Sequence, residues 1–326
     1  MKVARVERRR WAIVAISAVI GGSLAFAAGS CGGEDRGEVE IEGGSTGTTG
    51  TGTTGTSTSG GTGTTTAPVT VDKTATDPAA LERAMGEVET YAAGQTADLV
   101  KATEDLKSAI DAGSVGRAKR AYAAGRPFYE RIEPLVALFP ELDGKIDARE
   151  DDFPKKAKDP DWTGFHPIER MLWRDEEITG RTRKLAAGLV ADARRLDTLT
   201  RDADVPSEVV IPGVAELVDE VEESKITGEE ERYSKLDLPT FLANLEGSRA
   251  FYDTLQPLVK KADEGLATDI DAAFDDAFAE VEDLKQGGSF VAYDDLGDGQ
   301  QREVKQRIEA LAEPLARVQG TLGVGS

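Results

Sequence analysis

Apolar residues recur three or four positions apart along most of the chain after residue 77, which is the spacing of one buried face of an α-helix. Asp77-Pro78 precedes the first such stripe as a predicted N-cap followed by proline at the first helical position. The stripe consists of Leu81, Met85, Val88, Tyr91, Leu99, Leu106 and Ile110. The pattern therefore predicts a first helix that runs from Pro78 toward Gly113.

Helical periodicity also dominates the rest of the chain. A second helix is predicted from Ser114, and Pro127 and Pro134 should kink it or end it. Later helices are expected at about 166–175, 178–202, 211–224, 238–263, 266–285 and 300–320. The alternation typical of strands is confined to residues 289–293, and no repeat of fixed period is visible. The sequence therefore predicts an all-α fold, a helical bundle of two packed lobes.

The N-terminal segment has the pattern of an export signal. Five basic residues lie within the first ten positions, and residues 11–28 form an uncharged apolar run. Small residues then precede Cys31, the single cysteine, which resembles a bacterial lipobox, in which the cysteine is lipidated and becomes the new N-terminus. We predict a lipoprotein signal peptide over residues 1–30 and a lipid on Cys31 that holds the protein at the outer face of the cytoplasmic membrane. An uncleaved membrane anchor and plain secretion are the alternatives, and all three place the body of the protein outside the cytoplasm.

A low-complexity segment follows the signal. Residues 43–66 contain only Gly, Ser and Thr, which cannot form a hydrophobic core. We expect residues 31–76 to be a flexible or glycosylated tether with a reach of roughly 35–40 Å. The folded helical domain is then predicted over residues 77–326.

The composition narrows the possible chemistry. The 326 residues include 60 acidic and 39 basic ones, for a formal net charge of −21. Nucleic-acid binding is excluded, because it requires a basic face. A single cysteine excludes a disulfide framework and CxxC sites, and a single histidine excludes HExxH zincins and cages of several histidines.

The only histidine stands in the segment DWTGFHPIERMLW, three positions before a glutamate. If a helix starts there, His166 and Glu169 lie on one face, one turn apart, and can bind one metal ion. Helix capping is the alternative, because Pro167 fits the first helical position, which makes His166 the N-cap and Glu169 an N3 capping residue.

Further acids occur in three groups. Glu130 and Glu133 are three positions apart on a predicted helix, and acidic runs occupy residues 143–152 and 222–231. Each run is typical of a solvated helix face. Arginines interspersed among these acids favour a different interpretation for some of them, because buried acids need such partners. Arg126, Arg131, Arg149 and Arg232 are the arginines concerned, and part of these groups could therefore form an internal polar network.

Four segments taken together resemble one known family. They are RPFYERIEPLVALFPELDGKIDAREDDF, DWTGFHPIERMLW, ESKITGEEERYSKLDL and ANLEGSRAFYDTLQPL. In this order they are similar to the imelysin family, also called peptidase M75-like, and within it to the EfeO/EfeM branch of bacterial iron-uptake proteins. The likeness runs from about residue 77 to residue 322.

The resemblance implies a fold, a site and a role. It implies an all-helical bundle of two lobes and a GxHxxE metal site at Gly164, His166 and Glu169. It also implies an iron-binding component of an EfeUOB-type uptake system, which works with a permease and a haem peroxidase. Full EfeO proteins also carry a copper-binding cupredoxin domain; this sequence resembles the shorter, M75-only form, because it has the Gly/Thr tether in that place and no Cys-and-His copper set, so we do not expect copper-assisted oxidation of iron.

The residues themselves suit such a role. One imidazole with several carboxylates is a ligand set for iron, or for Zn or Mn, and it is poor for Cu(I). We expect Glu133 to be the third ligand, because its helix carries family-like sequence and ends at a proline, and Asp147 to complete the set. Peptidase activity is not expected, since HxxE is not HExxH. A metal-dependent envelope peptidase and a structural or adhesive envelope protein remain the alternative functions.

Overall fold

The computed structural model describes residues 76–136, 138–220 and 228–324, and all of them belong to one compact unit. The predicted signal peptide, Cys31 and the tether up to residue 75 lie outside the described residues. The start of the helical domain at residue 77 stays a prediction. Among the described helices, none combines the length and the apolar character that crossing a bilayer requires.

The part of the chain that the structure describes contains ten α-helices. They are α1 (Pro78–Asp111), α2 (Val115–Glu130), α3 (Glu133–Val136), α4 (Pro140–Ile146), α5 (Phe165–Trp173), α6 (Gly180–Asp202), α7 (Ser207–Glu220), α8 (Asp237–Ala262), α9 (Glu264–Asp283) and α10 (Asp298–Leu322). Short 3₁₀ helices occur at Glu150–Asp152, Lys156–Lys158 and Tyr293–Asp295. The strands β1 (Lys285–Gln286) and β2 (Ser289–Phe290) form a small antiparallel hairpin, at the position where the sequence showed strand-like alternation.

The predicted start of α1 is confirmed. The Asp77 carboxylate accepts a hydrogen bond from the Ala79 amide at 3.1 Å, and Pro78 occupies the first helical position. The apolar stripe faces the core, because Val88, Leu99 and Ile110 are all fully buried. The helix ends at Asp111, two residues before Gly113.

The helices pack in two groups around one continuous core. In the first group, α1 packs against α2 and α6, α5 packs against α2 and α6, and α4 packs against α6. In the second group, α10 packs against α7 and α9, and α8 packs against α7 and α9. Contacts of α8 with α1 and α2 join the groups. The all-α, two-lobed prediction is confirmed.

Close backbone contact fixes α8 against the end of α2. Gly247 on α8 lies so near Arg131 that an added Cβ would be 2.4 Å from the Arg131 carbonyl oxygen.

The two prolines that were predicted to kink or end the second helix do lie at its end. Pro127 lies in the last turn of α2, which ends at Glu130, and Pro134 is in the short helix α3. The polar end of α2 therefore faces α8 and the loops beside α5.

Candidate metal centre

The start of α5 is fixed by a glycine. Gly164 is the N-cap of α5 and has a φ of 90°, and a Cβ there would lie 2.1 Å from the Ile146 carbonyl oxygen. Only glycine tolerates both the left-handed backbone and this close approach. The contact brings the first turn of α5, with His166, next to the end of α4 and to Asp147.

His166 lies inside α5 and is not its N-cap. The Glu169 carboxylate also does not cap the helix, because its Oε1 accepts hydrogen bonds from the backbone amides of Tyr233 at 2.8 Å and Ser234 at 2.7 Å. The capping interpretation of the pair is therefore wrong. The reason is that Gly164 allows α5 to begin two residues earlier than proline placement alone suggests.

Glu169 also faces the imidazole. Its Oε2 lies 3.3 Å from His166 Nδ1, and both side chains are buried. A carboxylate in this position favours the tautomer with the proton on Nδ1, which leaves Nε2 as the nitrogen available for a metal. One glutamate thus connects the histidine to the backbone of the segment before α8.

Two carboxylates converge on the imidazole at the side opposite Glu169. His166 Nε2 lies 3.4 Å from Asp147 Oδ1, and one oxygen of Glu230 completes a group in which the possible ligand atoms are within 4.8 Å of one another. His166 and Glu230 are buried, and the Asp147 side chain is 12% exposed. The three residues come from the end of α4, the first turn of α5 and the turn before α8, so only the folded chain brings them together.

A buried arginine supplies positive charge beside this group. Arg126 Nη2 lies 2.7 Å from Asp147 Oδ1 and 3.2 Å from Glu230 Oε1, and Arg126 Nε lies 2.7 Å from Glu231 Oε1. Its Nη1 pairs with Glu130. Burial opposes the charge of Arg126, but the carboxylates, Asp147 and Glu130 foremost, outweigh it and raise the pKa of the guanidinium. Arg126 is therefore a permanent cation at the centre of the cluster.

Glu231 is fully buried beside Arg126. Its Oε2 accepts hydrogen bonds from Tyr122 Oη at 3.1 Å and from Ser234 Oγ at 2.9 Å. Burial raises the pKa of the Glu231 carboxyl, and the nearby charge of Glu169 raises it further. These hydrogen bonds fix the turn that carries Glu230.

The imidazole holds a proton strongly when no metal is present. Burial alone would lower the pKa of His166, but its contacts with Asp147 and Glu169 outweigh the burial and raise the pKa to about 10. A metal that binds Nε2 therefore displaces the Nε2 proton of a cationic imidazolium, and the carboxylates that favour the proton also favour a metal cation.

A narrow cleft leads to the cluster. Its lining consists of Arg149, Glu150, Trp162, His166, Glu169, Glu229, Glu230, Arg232 and Tyr233. Arg149 Nη2 pairs with Glu230 Oε2. Arg232 pairs with the rim acids Glu150 at 2.9 Å and Glu229 at 2.6 Å. Arg149 and Arg232 thus lie at the entrance of the cleft, and Arg149 pairs with Glu230 of the cluster.

Glu133, the predicted third ligand, lies in a neighbouring polar group. Its Oε2 accepts a hydrogen bond from Asn244 Nδ2 at 2.7 Å, and the same amide donates to Glu130 Oε2 at 2.9 Å. Among the described residues, the group with mutually close ligand atoms contains Asp147 and His166 together with Glu230, and Glu133 is not part of it. Glu133 is connected to the centre through Asn244, Glu130 and Arg126.

The part of the site that sequence reasoning missed is the pair Glu230 and Glu231. A charged run favours a solvated face, and Glu229 follows that rule with 52% exposure, whereas Glu230 and Glu231 are buried. The partners that make their burial possible are Arg126 and Arg149, about a hundred and about eighty residues away. The expected internal polar network is thereby confirmed for these residues.

The arrangement is suited to holding a cation. Ligand atoms about 2.1 Å from one metal ion lie up to about 4.2 Å apart, so the observed spacing below 4.8 Å needs only a small contraction. One nitrogen and several carboxylate oxygens form a mixed set that suits Fe, Mn or Zn.

Comparison with known proteins places the chain in a family. The family model described as imelysin (peptidase M75) matches residues 87–318. The protein named "Iron uptake system component EfeO" of Escherichia coli K12 is 42% identical over 234 residues, which cover 72% of this chain and 62% of that protein. The protein of the same name from Yersinia pseudotuberculosis is 39% identical over 248 residues, which cover 76% of this chain and 66% of that protein.

The match therefore extends over most of this chain but over less than two thirds of the E. coli relative. The family model alone covers more than half of the chain, and it includes every residue of the cluster. The all-helical architecture agrees with the match. This chain belongs to the imelysin family.

Proposed function

We propose that this protein binds iron outside the cytoplasm as a component of an iron-uptake system. The observation that carries the proposal is the buried convergence of Asp147, His166 and Glu230, with ligand atoms within 4.8 Å of one another. Support comes from the relatives, which are named as iron-uptake components. In this role iron is cargo, so the site must both take up the ion and release it.

His166 Nε2, Asp147 and Glu230 are the proposed ligands. Glu169 is assigned the supporting role, because one of its oxygens holds two amides and the other faces His166 Nδ1. Such a carboxylate orients the imidazole and increases its basicity. Glu133 stays a predicted ligand, and reaching the ion would require it to leave Asn244.

The cargo is proposed to be Fe²⁺ or Fe³⁺, and Zn or Mn are the other metals that the ligand set suits. A catalytic role is not proposed. One imidazole with carboxylates differs from the zinc sites of the usual metallopeptidases, in which two or three nitrogen or sulfur ligands leave an open position for water. A metal-dependent envelope peptidase is the alternative that the family name suggests.

The proposed setting is the cell envelope. A lipid on Cys31 would tether the helical domain to the cytoplasmic membrane, and a permease and a haem peroxidase are the proposed partners in delivering the iron. Mass spectrometry of the mature protein tests the anchor: Cys31→Ser should leave an unlipidated precursor. A wild-type protein without lipid would contradict the anchor and leave the metal proposal unaffected.

Anaerobic titration calorimetry with Fe²⁺ tests the metal site. Glu230→Gln removes one proposed ligand, whereas Glu229→Gln removes its exposed neighbour and serves as the matched control. We expect wild type and Glu229→Gln to bind Fe²⁺ with equal affinity, and Glu230→Gln and His166→Ala to bind at least about tenfold more weakly.

The same proteins are then incubated with a denatured polypeptide substrate in the presence of Fe²⁺ or Zn²⁺. Binding without cleavage supports the uptake role, and metal-dependent cleavage supports the peptidase. Unchanged affinity in both Glu230→Gln and His166→Ala would contradict the proposed site.

A further inference from the structure

The carboxylate of Glu230 is shared between two arginines. Its Oε1 lies 3.2 Å from Arg126 Nη2, and its Oε2 pairs with Arg149 Nη2. Glu230 is 1% exposed, so it needs such partners to stay charged. A metal ion at the same carboxylate would be a third positive charge. Glu230 would then no longer need both guanidinium groups, and the ion would repel both of them.

Arg126 is held too firmly to leave. It is 1% exposed, and it also pairs with Glu130, Asp147 and Glu231. Its guanidinium lies 5.2 Å from the centre of the Phe165 ring. Moving it would leave three further acids without their cation, and an uncompensated buried charge is strongly destabilising.

Arg149 is placed differently. Its side chain is 28% exposed and lines the cleft that leads to the cluster. Its backbone amide donates to Asp152 Oδ2 at 2.8 Å, which fixes the main chain at the start of a 3₁₀ helix and leaves the side chain as the part that can turn toward solvent. A guanidinium that swings out of the cleft regains water, and the arriving cation takes over its charge on Glu230.

We propose that Arg149 is a displaceable counter-ion, which neutralises Glu230 in the empty site and leaves it when the metal binds. The inference rests on the proposed function. Arg126 remains in place in both states. Arg149 therefore competes with the metal, lowers its affinity and provides a route to release, because the returning guanidinium takes over the carboxylate as the ion departs.

The test compares four full-length proteins in anaerobic Fe²⁺ titrations. Arg149→Gln removes the charge but keeps a hydrogen-bond donor for Glu230, and Arg149→Lys keeps the charge. Arg232→Gln is the matched control, because Arg232 lines the same cleft with 27% side-chain exposure and pairs with Glu150, Asp151 and Glu229.

We expect Arg149→Gln to bind Fe²⁺ about tenfold more tightly than wild type, since a charged hydrogen bond no longer has to be broken. Its Fe²⁺ dissociation rate should fall in stopped-flow chelation. Arg149→Lys, whose shorter cation reaches Glu230 less well, should bind Fe²⁺ more tightly than wild type but less tightly than Arg149→Gln, and Arg232→Gln should change affinity by less than about threefold.

The outcomes separate this inference from the proposed function. Wild type that binds Fe²⁺ while Arg149→Gln binds equally or more weakly would overturn the counter-ion role alone, and it would show that Arg149 supports Glu230 as a ligand. Wild type that binds no Fe²⁺ would overturn both. If Arg149→Gln proves unfolded by circular dichroism, Arg149→Lys tests the counter-ion role. Its shorter cation reaches Glu230 less well, so this variant must also bind Fe²⁺ more tightly than wild type does.

Discussion

Glu169 and His166 lie one helical turn apart on α5, with Glu169 Oε2 3.3 Å from His166 Nδ1. The second oxygen of the same carboxylate is occupied by the amides of Tyr233 and Ser234. Both side chains are buried, so these contacts are made away from bulk solvent. The pair therefore links the orientation of the imidazole to the position of the turn that carries Glu230.

Glu169→Gln should weaken metal binding more than it weakens the fold. A glutamine oxygen can still accept from the two amides, but its NH₂ group would donate to His166 Nδ1 and move the imidazole proton to Nε2. We expect Fe²⁺ affinity to fall about 10- to 100-fold. Anaerobic calorimetry measures the affinity, and urea denaturation measures the stability.

Glu169→Ala separates the two roles of this residue. It also leaves the Tyr233 and Ser234 amides without their acceptor, so it should cost about 2 kcal/mol or more of stability beyond the glutamine variant. Equal stability of the two variants would contradict the role assigned to the amides. Unchanged affinity in both would contradict the link to His166.

Gly164→Ala should disrupt the contact between α4 and α5. The backbone there has a φ of 90°, and the new Cβ would collide with the Ile146 carbonyl at 2.1 Å. We expect a loss of about 3 kcal/mol or more in the free energy of unfolding, or an insoluble product. Gly188→Ala, at a site on α6 with nothing within 4 Å of the new Cβ, is the control and should stabilise by about 0.5–1 kcal/mol.

The buried carboxyl of Asp237 should make the free energy of unfolding depend on pH. Burial raises the pKa of this carboxyl from its usual 3.8 to about 6, so the native state binds its proton more tightly than the unfolded chain does. Its contribution to stability is therefore present below about pH 4 and is lost as the pH rises through 6.

Asp237→Asn removes this titration but can still accept the Glu231 amide, which lies 3.2 Å from Asp237 Oδ1. Relative to wild type, the variant should gain about 2–3 kcal/mol in unfolding free energy between pH 4 and pH 7. Urea titrations with a chelator present measure the difference. A difference that stays constant with pH would contradict the prediction.

Arg126→Met should strongly destabilise the protein at neutral pH. Methionine fills similar space, but it leaves four carboxylates without the cation that they share. We expect a cost of about 3–5 kcal/mol, measured by urea denaturation. Arg307→Met, which removes an exposed ion pair with Asp276 at 3.2 Å, should cost about 0–1 kcal/mol. Similar costs for both would show that Arg126 is not the central counter-charge.

Local patterns were sufficient to predict the helices. Apolar spacing, the Asp77 cap and the prolines gave α1, α2 and the later helices close to their observed bounds, because each signal acts within a few residues. The N-cap that the capping alternative gave to α5 was wrong, since the backbone there is set by a contact between Gly164 and Ile146, which lie on different elements.

The site was predicted only in part for the same physical reason. His166 and Asp147 were selected from sequence and do lie 3.4 Å apart. Glu230 was not selected as a ligand, because the sequence of a charged run does not distinguish a glutamate that becomes buried from one that stays exposed. Its burial depends on Arg126 and Arg149, and such long-range pairing leaves no periodic signal in the chain. Glu133 was selected as a ligand from its helix, yet Asn244 on α8 holds it.

The three proposed ligands come from three segments spread over a stretch of roughly eighty residues, so an ion that they share would act as a removable cross-link of the chain. By linkage, each tenfold excess of free ion over its dissociation constant adds about 1.4 kcal/mol to the stability of the native state. The loaded protein would then open more rarely than the empty one. Proteases would remove the empty form first, and the amount of surviving protein would follow the supply of the ion.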